Sequence, residues 1–85
     1  MPEREHRHAD LLLLGRAVRR TREQRGMSAD DLAGAIDVGR QRIDALESGR
    51  LDPTYALLLA VADGLGTEPS ALVTLAEQLE EANGR

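Results

Sequence analysis

The sequence predicts an all-α fold of five short helices, and three observations carry that reading. Apolar residues recur at three- and four-residue intervals along most of the chain, and no segment alternates in the manner of a strand. Glycine or proline interrupts the pattern at positions 26, 39, 49, 53, 66 and 69, leaving segments of helical length between. A length of 85 residues admits one domain with a small core.

Residues 1–9 are polar and carry no apolar period, so they read as a flexible arm ahead of a domain over 10–82. Arg4 and Arg7 in that arm are placed either to reach a minor groove or to belong to a disordered tail; His6 and His8 lack a third metal ligand. The first helix is expected from Asp10 to Arg25, capped by Asp10 and stopped by Gly26, with Leu11, Leu14, Val18 and the stem of Arg22 on its buried stripe. Leu12 and Leu13 fall off that stripe, toward solvent or a partner. The second helix runs from Ser28 to Ile36, with Ser28 and Asp31 forming a capping box and Leu32, Ala33 and Ile36 facing inward. Asp37, Val38 and Gly39 leave room only for a tight turn. The third helix spans Arg40 to Ser48, with Ile43 and Leu46 inward and Gly49 ending it. Pro53 disfavours helix at Asp52, so the fourth helix starts at Thr54 and runs to Gly64 or Leu65, with Tyr55, Leu58, Leu59 and Ala62 on one face. The fifth begins near Pro69 and runs to about Glu81, with Leu72, Leu75, Ala76 and Leu79 as its stripe.

Composition narrows the functional classes. The absence of cysteine removes disulfides, thiolate metal sites and thiol nucleophiles, and neither histidine has a predictable acid or base partner, so catalysis has no support and no cofactor is expected. No apolar run approaches the length of a membrane span, and the N-terminus has no signal-peptide core, which makes a cytoplasmic protein without membrane contact the expectation. The net charge of −4 is unevenly spread. Residues 1–50 hold ten Arg and nine acids, a balance of +1, whereas residues 51–85 hold one Arg and six acids, a balance of −5. All the basic residues are Arg, which suits phosphate and base-edge recognition and also follows from a GC-rich genome. Arg16, Arg19 and Arg20 on the first helix read as a solvated face, with phosphate contact as the alternative.

The informative stretch is Ser28 to Gly49, SADDLAGAIDVGRQRIDALESG. Its second helix is too short to be stable alone and must be held by the first. Ala33 permits a close approach, and Leu32, Ile36, Val38, Ile43 and Leu46 fill the wedge between this pair and the first helix of the chain. Arg40, Gln41, Asp44, Ala45 and Ser48 are left in solvent on the opposite face, a shape suited to the major groove.

At these residues the chain resembles the phage-repressor or Cro-type helix-turn-helix regulators, the XRE family. The resemblance is carried by LGRAVRRTREQRGMSADDLAGAI, VGRQRIDALESGR and PTYALLLAVADGLG, from about Leu14 to Leu72. It implies a five-helix repressor-like DNA-binding domain whose helix-turn-helix is formed by the second and third helices. It implies base reading by Arg40, Gln41, Asp44 and Ala45, with Arg40 suited to guanine and Gln41 to adenine. Ser28, Arg42, Ser48 and Arg50 are the corresponding phosphate contacts. Arg22 and Glu47 match the family's structural ion pair. The usual turn glycine is Asp37 here, at a position that needs positive φ, and the usual phosphate-binding Gln that opens the second helix is Ala29.

The resemblance further implies double-stranded operator DNA as partner and a homodimer that represses by occupying a promoter. Leu72, Leu75, Ala76 and Leu79 are a dimer face in one reading and a cap on the chain's own core in the other. The acidic C-terminal half supports an alternative function, a protein-interaction module such as an antitoxin or adaptor.

Overall fold

The computed structural model describes the backbone of residues 2–83 and the side chains of residues 9–82. The expectations for Arg4, His6, Arg7 and His8 concern side chains outside the described residues. Five helices follow one another: α1 (Pro2–Gln24), α2 (Ala29–Ala35), α3 (Arg40–Glu47), α4 (Tyr55–Leu65) and α5 (Pro69–Asn83). α1 is the spine, packed along α5 and across α3; α2 and α3 pack on each other, and α4 bridges α2 and α5. Val18, Leu32, Ile43, Leu46, Val61 and Leu72 are fully buried and join all five helices in one core.

α1 corrects the expected arm over 1–9, because the helix already runs from Pro2 and Asp10 lies within it instead of capping it. Proline is tolerated in a first turn of a helix. An amphipathic period reports a buried face, and a helix can continue without one. At the other end Gly26 turns the chain out at φ +69°, as the sequence predicts.

α2 begins with the expected capping box. The Ser28 hydroxyl accepts from Asp31 N–H at 2.9 Å, and the Asp31 carboxylate accepts from Ser28 N–H at 2.9 Å. The Ser28 backbone bond, followed by its hydroxyl, holds the Asp31 carboxyl below the usual carboxylate range. This contribution is present above the ordinary carboxylate value and is lost as pH falls through the lowered one.

The turn into α3 puts Asp37 at φ +57° while Val38 N–H donates to Ala33 O at 3.0 Å. Asp tolerates this left-handed geometry better than most residues, and a β-branched residue does not. Asp37→Val should lower stability by about 1–2 kcal/mol, whereas Asp37→Gly should melt at or above the wild-type temperature. Thermal unfolding followed by circular dichroism reads both, and equal melting of the two variants would contradict the strain.

α4 is capped by Thr54, whose hydroxyl accepts from Leu57 N–H at 3.1 Å. Its inward face is the expected one only in part: Ala62 is buried and Leu58 packs against the core, but Tyr55 and Leu59 do not. Leu57, Val61, Ala62 and Leu65 are buried, while Tyr55 is 72% exposed and Leu59 41%. The cause is a close approach at Gly64: a Cβ there would lie 2.6 Å from Ile36 Cγ2 and 3.1 Å from Leu32 Cδ1. α2 therefore docks on the line of residues 57, 61 and 64, which turns Tyr55 and Leu59 outward.

α5 covers α1. Leu72 and Ala76 are buried within this chain, so they are not open to a second copy as a dimer face would require. Leu75 and Leu79 remain half-buried, and Val73, at 45% exposure, is the large apolar residue that α5 shows to solvent. Leu12, expected off the stripe, lies against Gly49, and Leu13 and Leu14 line a shallow groove with Val73 and Ala76. Among the described residues no single helix is long and apolar enough to cross a membrane. α4 and α5 together reach that length, but they are bent by 92° and bury Leu57, Leu65 and Leu72 in the common core.

Candidate nucleic-acid interface

α3 is held from behind by an ion pair and from one end by a close helix crossing. Arg22 reaches from α1 to the last turn of α3 and grips Glu47 with both edges of its fork: Nε to Oε2 at 2.7 Å and Nη2 to Oε1 at 3.0 Å. Nη1 donates to Met27 O at 2.8 Å, which ties the loop before α2 to the same guanidinium. The two side chains are only 10% and 9% exposed. The bond to Glu47 raises the Arg22 pKa against the opposing effect of burial. The expected structural pair is therefore present, and it is satisfied on both sides.

Gly15 on α1 is the feature the sequence reading missed. Its Cβ would lie 2.5 Å from the carbonyl oxygens of both Leu46 and Glu47, so the α1 backbone rests directly on the end of α3. A glycine inside an otherwise apolar helical stripe is the signal that could have found it.

With its back fixed, α3 turns Arg40, Gln41, Arg42 and Asp44 to solvent, while Ala45 is half-buried. Arg40, Asp44, Ser48 and Arg50 converge on one polar cleft with Arg19 of α1 at its edge. Arg19 also pairs with Glu23 one turn along α1, at 3.3 Å. At the C-terminal end of α3, Arg50 Nε donates to Ser48 Oγ at 2.9 Å, and the Ser48 hydroxyl donates to Ala45 O at 3.2 Å. The Ser48 proton is thus committed within the chain, and its bond to Arg50 aims that guanidinium. The Ser28 hydroxyl oxygen is taken up by the cap of α2, and the same hydroxyl helps to hold the Asp31 carboxyl low.

Arg40 opens α3 between two carboxylates. Nη1 donates to Asp30 Oδ2 of α2 at 3.1 Å, and Nε donates to Asp44 Oδ1, one turn along α3, at 3.3 Å. Asp30, then Asp44, raises the Arg40 pKa, so the group is a fixed cation. Asp44 was expected among the base-reading residues; in the structure its carboxylate faces Arg40. From the sequence Asp30 reads as an acid that suits the start of α2 and adds negative charge near the docking surface; its pairing with Arg40, ten residues and a turn away, is a finding of the structure.

Comparison with known proteins agrees with this architecture. Residues 13–75 match the family model described as a helix-turn-helix domain. An uncharacterized HTH-type transcriptional regulator of Methanothermobacter thermautotrophicus is 39% identical over 51 residues, which is 60% of this chain and 74% of that protein. The restriction-modification controller protein C.AhdI from Aeromonas hydrophila superposes with a TM-score of 0.74 at 30% identity, covering 75% of this chain and 97% of that one. The clp gene regulator ClgR from C. glutamicum superposes with a TM-score of 0.79 at 29% identity, covering 81% of this chain and 88% of that one.

Proposed function

The chain belongs to the helix-turn-helix domain family of transcriptional regulators, of the phage-repressor type that its sequence resembles, and from that premise we propose that it represses transcription by binding operator DNA as a homodimer. The observation that supports this most directly is α3 itself. Its inner face is locked to α1 by Arg22, and its first turn offers Arg40 and Gln41 to solvent. A helix so held enters a major groove N-terminus first, with Arg40 suited to guanine O6 and N7 and Gln41 to adenine N6 and N7. Arg42, Arg50 and the Ser28 hydroxyl flank that turn as phosphate contacts. Leu75 and Leu79, half-buried on one flank of α5, are the apolar residues of the expected face through which two copies would still pair. Such a dimer sets two recognition helices on successive turns of one duplex face.

The excess acid falls in residues 51–85, outside α3, so net charge does not veto the reading; it predicts weak non-specific binding, with affinity resting on a few Arg contacts. Selection of bound sequences from random duplexes, followed by gel shifts at two salt concentrations, tests the proposal. A palindromic consensus is expected. Arg40→Ala should lose about 1–3 kcal/mol and relax the preference at one base position per half-site. No consensus at either salt would overturn the DNA reading and favour a protein-interaction module on the same fold.

A further inference from the structure

Arg40 is an exposed arginine at the start of an exposed helix, a place where a long side chain ordinarily samples many rotamers. Here two carboxylates from different helices hold it. Asp44 fixes Nε from the same face of α3, and Asp30 fixes Nη1 from α2. These bonds use two of the five guanidinium N–H donors. Both Nη2 hydrogens and the second Nη1 hydrogen are not used by these bonds, and a base edge with two adjacent acceptors can take two of the three.

We propose that Asp30 and Asp44 are positioning residues for Arg40, holding its fork for a guanine edge and withholding it from phosphate. The inference rests on the DNA reading above and adds to it a source of specificity. A carboxylate at a DNA-facing surface repels every duplex alike, which weakens non-specific binding. If the same carboxylate also orients the reading arginine, its loss reduces the advantage of the correct base as well. Relief of simple repulsion raises affinity for all sequences by one factor, whereas loss of positioning changes the ratio between sequences. Asp30 and Asp44 engage different nitrogens from different elements, so the fork is constrained at two points.

The test has two arms and uses the full chain with Asp30→Asn, Asp44→Asn and the double variant. In the free protein, nitrogen NMR of the Arg40 Nε–H should show a restrained, exchange-protected group that becomes mobile in the double variant. An Arg40 Nε–H already mobile in the wild type would overturn the proposal whatever the DNA arm gives. In the second arm, the selected duplex and one with the guanine opposite Arg40 replaced are titrated. The double variant should bind the replaced duplex more tightly than wild type does, and the ratio between the two duplexes should shrink about tenfold. A uniform gain on both duplexes with the ratio unchanged would overturn positioning and leave the DNA reading standing. A wild-type chain that selects no sequence would overturn the DNA reading and the positioning role with it.

Discussion

Arg22→Ala is expected to lower the stability of the domain by about 3–5 kcal/mol, and Glu47→Ala by a similar amount. Each removal leaves the other charge nearly buried and unpaired, at side-chain exposures of 10% and 9%. Arg22→Ala also strands the Met27 carbonyl, which accepts from Nη1. Against a total stability on the order of 5–10 kcal/mol for a domain of this size, either change removes a large share. Arg22→Lys should recover only part of it, because an ammonium cannot fork across two carboxylate oxygens and reach Met27 O as well. The signs with pH are definite. The Arg22 pKa is raised by Glu47, so its contribution is complete below the ordinary Arg value and is lost only in strong alkali as pH passes the raised one. Urea unfolding at neutral pH of the two single variants and the double alanine variant measures the coupling. Additive losses, with no coupling between the two sites, would refute the pair as drawn.

The features that could be read from the sequence are those whose cause is local. The Ser28–Asp31 box, Thr54 after Pro53, and the helix stops at Gly26, Gly49 and Gly66 depend on neighbours within a few residues, and the structure has each of them. The Arg22–Glu47 pair spans 25 positions and was legible only through the family resemblance, not through spacing. The reading failed where packing decides between equals. In YALLLAVADGL, apolar residues are so dense that several stripes fit a helical period, and only the contact of Gly64 with Ile36 and Leu32 selects the one containing Leu57 and Val61. The same holds for α5, where Leu72 reads as an interface or a core residue until α1 is seen lying on it. At the candidate site, Arg40 and Gln41 were found as exposed residues, but the acids that hold Arg40 were not. Asp30 reads as a residue suited to a helix N-terminus, and nothing in the spacing reveals that the turn at Asp37 swings it toward α3.

Gly15→Val should cost about 3 kcal/mol, the upper part of the usual range for overpacking. The obstacle is backbone: two carbonyl oxygens at 2.5 Å from the added carbon, belonging to Leu46 and Glu47 in the last turn of α3. A side-chain neighbour could change rotamer, but these oxygens can move only if α3 moves as a body. Any such shift pulls Glu47 from Arg22 and tilts Arg40 at the other end of an eight-residue helix. Stability and DNA selectivity should therefore fall together. Gly34 is the control, since a Cβ there meets nothing within 4 Å on the exposed side of α2. Gly34→Ala should gain up to about 1 kcal/mol from helix propensity alone and leave selectivity unchanged. If Gly15→Val melted with the wild type, α1 and α3 could separate without penalty. The pose of α3 would then depend on the Arg22–Glu47 pair alone. If it were destabilised yet selected the same sequence with the same ratios, the crossing would stabilise the domain without setting the angle of the reading helix.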